Sequence, residues 1–456
     1  MKIQEHTVAK AFLQACDFVI NTGQGLADHI ACFLLGDQHT LTRYANNQII
    51  QNVRKQDHTM IVKVILSGRI GMASCNQFDE QTLYRTVKQA VELAKFAPIH
   101  PTVAGFPEQE IIPQVNGCDE ATEQVTATEM AKMVEMIVSK SVANHLRAAG
   151  AVQVQVMDQA VANSSGVRVY GRRTKAEVHA VVLGKTGSGY ASDTKRSFYD
   201  LQAEEVVRVA IEKCQLSEGA IELPAGDYPV ILEQKATAEL LSYLGVLAFN
   251  PVTYHQGNGF LSNRMGYRVL SEQLSISEDP LGKEGLPDGF DWDGLPKQKV
   301  SLIQDGVATG MIYDDAIGKK YGCKSTGNAK YPLSPSFMEI CPSHLHMEAG
   351  KTSRADMIAQ MERGILITRF HYVGVLHSKE ILLTGMTRGG TFYIENGKIV
   401  SPVKNLRFTE KISSAFNQVV AVGDESKLHS WPGSMSTVKA PDLMLSTFHF
   451  NGAASH

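Results

Sequence analysis

Apolar residues recur every three to four positions in several stretches, and this spacing predicts amphipathic helices. One stripe starts after Asp79, whose side chain can cap a helix, and runs to about Phe96. A second follows Thr126 and Glu129, which have the spacing of a capping box. Further helices are predicted over about residues 1–30, 201–216 and 236–247.

Alternating apolar and polar residues predict strands around these helices. The clearest alternation runs from Val152 to Val156, with glutamines between the valines. Asp305-Gly306 and Asn396-Gly397 are typical of hairpin turns, because Asn, Asp and Gly tolerate a positive φ. Strands are predicted over 41–53, 59–74, 152–156, 167–170 and 176–183, and again over 300–303, 308–313, 336–339, 364–373, 381–383 and 390–395.

The segment 222–227, Glu-Leu-Pro-Ala-Gly-Asp, has the composition of a linker. It predicts two domains. Residues 1–222 would form an N-terminal α/β domain in which helices pack on a β-sheet, and residues 223–456 a β-rich C-terminal domain. The fold class that follows is α+β.

Composition and charge narrow the functional classes. The chain has 456 residues, of which 43% are hydrophobic and 20% charged, and its formal net charge of -3 argues against direct binding of nucleic acid, which needs a basic face. The seven cysteines are odd in number and never spaced as C-x-x-C, so neither a disulfide framework nor a cysteine zinc site is predicted. No apolar run approaches the length of a membrane span, and we expect a cytoplasmic protein without membrane contact.

A polar loop and a polar pair offer candidate groups for binding a substrate or a partner. The loop consists of Lys324, Ser325, Thr326, Gly327 and Asn328, and the pair of Thr387 and Arg388. The loop's ammonium, hydroxyl and amide groups could hold a peptide backbone or a carboxylate. The same composition is about as typical of a turn that caps neighbouring backbone groups. The pair could likewise bind a carboxylate or a partner subunit, or simply lie on the surface.

The run His344, His346 and Glu348 is the one place where metal ligands could gather. In an extended conformation the three side chains share a face, and two histidines with one carboxylate form a known metal triad. Neighbours on one face of one strand rarely converge on a single ion. We therefore favour a solvated polar face and predict no metal site.

Several segments together resemble the TldD/PmbA family. They are 41–49, 228–247, 290–296 (FDWDGLP), 302–307, 324–329 and 383–398 (LTGMTRGGTFYIENGK). TldD-type members of this family carry the zinc motif His-Glu-x-x-x-His on the helix after the strand that corresponds to 228–232. Here Ser242, Tyr243 and Leu247 take the three motif positions, and zinc requires imidazole, thiolate or carboxylate ligands. TldD-type members also use a cysteine near the C-terminus, whereas the matching stretch 429–435 has none and no cysteine follows Cys341.

The resemblance therefore points to the PmbA (TldE) branch, with a degenerate metallopeptidase domain at 223–456. It implies a metal-free subunit, without a cofactor or catalytic residues of its own, that pairs with a metal-bearing TldD-like subunit or with itself. The assembly would process unfolded or modified peptides, and the lone chain would be inactive. Two alternatives stay open: an independent hydrolase or tailoring enzyme for peptide natural products, and a protein-binding regulator, as the family's other name, modulator of DNA gyrase, suggests.

Overall fold

Two β-sheets with helices packed on them make up the protein, which confirms the α+β fold class. The computed structural model describes residues 2–100, 105–333, 340–430 and 434–454, with side chains from residue 7 onward. The predicted strand 336–339 lies outside these residues. None of the helices in these ranges combines the length and the apolar composition that a membrane span requires.

The first sheet is antiparallel and has the strand order β3-β2-β1-β4-β5-β6. Its strands are β1 His29–Ala45, β2 Gln48–Leu66, β3 Arg69–Cys75, β4 Arg147–Asn163, β5 Arg168–Leu183 and β6 Ser188–Lys195. The helices beside it are α1 Lys2–Gly23, α2 Glu80–Phe96, α3 Glu120–Glu123, α4 Ala127–Ala143 and α5 Ala203–Leu216. Buried side chains such as Val87 of α2 and Val207 of α5 form the apolar cores between helices and sheet.

The other face of this sheet is polar and yet buried. Gln153 of β4 is 9% exposed, and its Nε2 donates to Glu177 of β5 over 2.8 Å. Glu177 also accepts a hydrogen bond from Ser430 in the second half of the chain, at 3.0 Å. The polar positions of the strand pattern therefore face the second sheet instead of solvent.

The second sheet has eleven strands within the described residues. They are β7 Gly226–Leu232, β8 Ile276–Glu278, β9 Val300–Gln304, β10 Val307–Ala308, β11 His344–Met347, β12 Arg363–His377, β13 Leu382–Glu395, β14 Lys398–Pro402, β15 Leu406–Lys411, β16 Val419–Ser430 and β17 Thr437–Ala453. The helices that follow β7 are α6 Gln234–Ala248, α7 Pro251–His255, α8 Asp315–Tyr321, α9 Arg354–Gln360 and α10 Ile412–Ala415. β7 pairs with both β12 and β17, so β7, β12, β13, β15 and β17 close into a ring, and each of these five strands has a neighbour on both sides.

The predicted helix starts are confirmed in detail. Asp79 accepts from the Thr82 amide at 3.0 Å, and Thr126 and Glu129 form the complete capping box. Strand bounds were less well predicted. The predicted strand 41–53 covers the end of β1 and the start of β2, which are separated by a turn at Asn46 and Asn47, both at positive φ. A turn at Ser67-Gly68 likewise divides the predicted strand 59–74 into parts of β2 and β3.

In the second half the strand pattern gave further errors. The predicted strand 308–313 ends at Ala308. The predicted strands 381–383 and 390–395 are parts of one strand, β13, which begins at Leu382. The turns at Asp305-Gly306 and Asn396-Gly397 do adopt positive φ, as predicted. The first sheet ends at Lys195 and the second begins at Gly226; the division into domains at 222/223 stays a prediction.

Candidate functional site

Helix α6 carries the three positions of the degenerate motif, and its own packing fixes where they point. The helix follows β7 directly, and side chains such as Leu240, Leu241 and Leu244 are buried in the core of the second sheet. Gly245 lies against Leu345 of β11, since a Cβ at this glycine would approach Leu345 Cδ1 to 2.3 Å. This close approach brings α6 against β11.

A cavity of about 480 Å³ opens beside the second half of α6, a size typical of ligand pockets. Ser242, Tyr243 and Leu247 all line it, so the three motif positions share one cavity. Its wall is completed by Val246 and by apolar or hydroxyl side chains from other elements, namely Cys341, Pro342, Leu345, Val375, Ser378, Ser434, Ser436, Thr437 and Val438. Ser434 belongs to the stretch 429–435, of which residues 431–433 lie outside the described part. The two segments that the family resemblance singled out therefore meet in space.

The groups at the motif positions do not fit a catalytic metal ion. Ser242 Oγ donates to the Ala238 carbonyl at 2.7 Å, and Tyr243 Oη donates to the Val373 carbonyl at 2.6 Å. Burial, and next the charge of Glu239, raise the pKa of Tyr243, which keeps its hydroxyl protonated. Leu247 offers no donor atom, and Cys341 is the sole thiol in the cavity's described lining. A zinc site needs three or four imidazole, thiolate or carboxylate ligands, so no metal-dependent step is assigned to these residues.

The polar loop at 324–328 uses most of its polar groups to hold itself in place. Thr326 Oγ1 accepts from the Tyr313 amide at 2.7 Å, and Ser325 Oγ accepts from the Gly327 amide at 3.1 Å. Asn328 is 2% exposed and donates to Glu278 at 3.3 Å. Only Lys324 among the five is exposed. This geometry favours the turn that caps backbone groups, and a role in substrate binding stays a prediction.

The pair Thr387 and Arg388 divides between interior and surface. Thr387 is fully buried, where its hydroxyl accepts hydrogen bonds from Thr391 Oγ1 at 2.8 Å and from the Leu406 amide at 2.9 Å. Arg388 is exposed on β13. Thr387 therefore holds β13 to β15, and of the two residues only Arg388 is accessible to a substrate carboxylate or a partner.

The run from His344 to Glu348 does not gather as a metal triad. His344 is buried and both ring nitrogens are engaged, Nε2 with the Leu286 carbonyl at 2.9 Å and Nδ1 with Ser343 Oγ at 2.9 Å. Burial, followed by the charges of Lys297 and Arg173, holds the pKa of His344 well below its usual value. His346 is half-buried and Glu348 is exposed beyond the end of β11. Across the described ranges no three His, Cys, Asp or Glu side chains are grouped to hold a metal ion.

Apart from the stretch that contains Ser434, the wall of the cavity that faces α6 was not predicted. Leu345, Val375 and Val438 come from β11, β12 and β17, far apart in the chain. None of the three lies in a predicted strand, and single apolar residues of this kind are typical of an ordinary core. Only their pairing in the sheet brings them together, and no local signal marks it.

Family models match three stretches of the chain. The model for the PmbA/TldA metallopeptidase C-terminal domain matches residues 225–452, that for domain 1 matches 33–94, and that for the central domain matches 120–214. Metalloprotease PmbA of Escherichia coli O157:H7 is 26% identical over 411 residues, which cover 85% of each chain. A PmbA homologue of Haemophilus influenzae is 23% identical over 407 residues, 84% of each chain.

Solved structures share the fold. The crystal structure of TldE from Thermococcus kodakarensis superposes with a TM-score of 0.89 and 20% identity, covering 96% of this chain and all of that chain. At this identity the likeness shows the fold alone. The match includes both sheets, because it spans nearly the whole chain.

Proposed function

The chain belongs to the PmbA/TldD family, and on that premise we propose that it is the metal-free subunit of a TldD/TldE-type peptidase complex. The observation that carries the proposal is the cavity beside α6. Ser242, Tyr243 and Leu247, which take the three motif positions according to the family resemblance, line this cavity together. The subunit supplies a binding surface and leaves the catalytic metal to a TldD-like partner.

The chemistry of the cavity fits an apolar side chain of a peptide. Val246, Leu247, Leu345, Val375 and Val438 present hydrocarbon surface, and the serine and threonine hydroxyls can meet the polar backbone of the same peptide. Transfer of a leucine- or phenylalanine-sized side chain from water into such a site contributes about 1.5–3 kcal/mol to the free energy of binding. An extended, unfolded peptide exposes such side chains, whereas a folded protein buries them. The cavity therefore supports unfolded or modified peptides as the substrate class.

An apolar surface next to the cavity supports an interface with another subunit. Tyr372, Val375 and Leu376 near the end of β12 are exposed by 76%, 42% and 56%. Val375 also lines the cavity, so the surface and the cavity are continuous. Neighbouring apolar groups on a surface are typical of protein interfaces. We assign this surface to the TldD-like partner, or to a second copy of the chain when that partner is absent.

Mixing experiments test this function. The purified chain alone is expected to show background hydrolysis of an unfolded peptide, because it has no ligand set for a catalytic metal. Addition of a TldD-type subunit that carries His-Glu-x-x-x-His should produce hydrolysis that saturates at a fixed ratio of the two chains. Sustained hydrolysis by the lone chain, at a rate similar to that of the mixture, would instead identify an independent hydrolase.

A further inference from the structure

A second cleft, polar in character, lies at the opposite end of α6 from the apolar cavity. It has a volume of about 450 Å³ and separates α5 and β6 of the first half from the second sheet. Its second-half wall includes the start of α6, Thr368 of β12 and His429 of β16. None of these groups takes part in the function proposed above.

Two buried polar atoms in this wall lack a hydrogen-bond partner. They are Oγ1 of Thr368, a residue that is 2% exposed, and Nε2 of His429, a residue that is 7% exposed. Leaving such a group unsatisfied costs about 1–3 kcal/mol, so proteins seldom tolerate it without a reason. Nε of Arg369, the neighbour of Thr368, is also unpartnered, and its guanidinium lies 4.2 Å from the ring centre of Tyr190 in the opposite wall. Arg369 does not line the cleft, so Thr368 and His429 are the two unpartnered groups of this lining that are able to bond a ligand.

The start of α6 adds donors of the same kind. The helix has fifteen residues, and Glu233 at its cap position makes no side-chain cap. Asp442 accepts a hydrogen bond from the Gln234 amide at 2.8 Å. The amides of Lys235 and Ala236 have no acceptor within the helix, because they lie in its first turn. Such a helix start attracts negative charge through these amides and the helix dipole.

Most of the buried charges around the cleft are paired, so the start of α6, rather than a net positive charge, favours an anion. Glu233 is paired with Lys213 at 2.5 Å, and Asp442 with Arg354 at 2.8 Å. Lys235 also lines the cleft, and its carboxylate neighbour Glu239 is 3.8 Å away. The other charged groups of the lining lie at the exposed rim, and they are Glu205, Arg208, Glu212, Asp424, Glu425 and Lys427. Burial, then Lys235 and Lys427, hold the pKa of His429 well below its usual value, so the neutral ring has one N–H to offer.

We propose that this cleft binds an anionic oxygen group, a carboxylate or a phosphate. The start of α6 and Lys235 attract its charge, while Thr368 and His429 donate hydrogen bonds to its oxygens. This site is separate from the apolar cavity and needs no partner subunit. A peptide's C-terminal carboxylate and inorganic phosphate present the same chemistry.

Calorimetric titration of the lone full-length chain tests the site at low ionic strength. The probes are inorganic phosphate, a hexapeptide with a free C-terminal carboxylate, and the same hexapeptide as its C-terminal amide. We expect phosphate or the free-acid peptide to bind, and the amide to bind at least tenfold more weakly than the acid. Binding of phosphate alone assigns the site to phosphate groups, and binding of the acid over the amide assigns it to carboxylates.

Matched substitutions locate the binding. Thr368→Val removes the unpartnered hydroxyl with little change in shape and should raise the Kd at least tenfold, the usual effect of losing a hydrogen bond to a charged group. Lys235→Gln should act in the same direction. Thr42→Val removes another buried, unpartnered hydroxyl, on β1 away from the cleft, and Lys140→Gln removes a surface charge on α4; both should leave the Kd unchanged. No heat from any probe, or equal binding by wild type, Thr368→Val and Lys235→Gln, overturns the proposal.

Discussion

Replacement of Glu278 by leucine is expected to lower the free energy of unfolding by about 3–5 kcal/mol, the usual effect of breaking a buried charged network. Glu278 is fully buried in β8 and accepts from the amides of Ser343 and His344 at 2.9 and 2.8 Å. Its Oε1 also accepts from Ser343 Oγ at 2.8 Å and from Asn328 at 3.3 Å. Leucine has a similar size but no acceptor, so four buried donors would lose their partner.

Urea titration followed by tryptophan fluorescence measures this loss, because Trp292 packs on Tyr331 in the same half of the chain, with 4.7 Å between ring centres. Glu284→Leu is the matched control. Glu284 pairs with Lys439 at the surface, with 80% of its side chain exposed, and such pairs contribute about 0–1 kcal/mol. A loss below 1 kcal/mol for Glu278→Leu would mean that this carboxylate does not hold β8 to β11.

Replacement of Val246 by phenylalanine is expected to raise the KM of the assembled peptidase for an apolar peptide by about tenfold or more. Val246 lines the cavity of about 480 Å³, and the larger ring would occupy volume that a substrate side chain needs. Loss of one buried apolar side chain of substrate costs about 1.5–3 kcal/mol, which corresponds to a factor of ten to two hundred. Because the catalytic metal would lie in the partner, kcat should change little.

Steady-state kinetics of the mixed subunits, with Val142→Phe as the control, check this expectation. Val142 is exposed by 51% on α4, and the same substitution there adds the same ring without entering the cavity. Native electrophoresis should show that both variants still bind the partner. An unchanged KM for Val246→Phe, or an equal rise for Val142→Phe, would remove the cavity from the substrate path.

Local signals in the sequence predicted the helix starts well but only part of the strands, since no strand was predicted after residue 395, where β14 to β17 lie. The helix caps at Asp79 and at Thr126 with Glu129 depend on hydrogen bonds between residues three positions apart. Such caps can therefore be predicted from the local sequence alone. The ends of strands were harder to predict, because Asn46 and Asn47 form a turn inside a run in which polar and apolar residues otherwise alternate. The closure of the ring through β7 and β17 depends on residues more than two hundred positions apart, and no local pattern specifies it.

Of the cavity, the sequence pointed to α6 and to the stretch 429–435, whereas the predicted binding residues at 324–328 and 387–388 do not line it. The resemblance placed Ser242, Tyr243 and Leu247 on one helix, and the structure places them in one cavity. The polar loop at 324–328 was an ambiguous signal because hydroxyls that bind a ligand and hydroxyls that cap a turn look alike in sequence. The polar cleft was missed altogether: Thr368 lies in the predicted strand 364–373 and His429 in a stretch for which no strand was predicted, and only their burial without partners distinguishes them.

The central claim is that the catalytic metal belongs to the partner and that this chain contributes binding surface. Two single substitutions in the reconstituted pair test it most directly, with peptide hydrolysis as the measurement. Replacing the glutamate of the partner's His-Glu-x-x-x-His motif by glutamine should reduce hydrolysis to background, whereas Tyr243→Phe in this chain should leave kcat within about threefold, because no proton transfer depends on Tyr243. Hydrolysis that survives the partner's substitution and is lost with Tyr243→Phe would contradict the account.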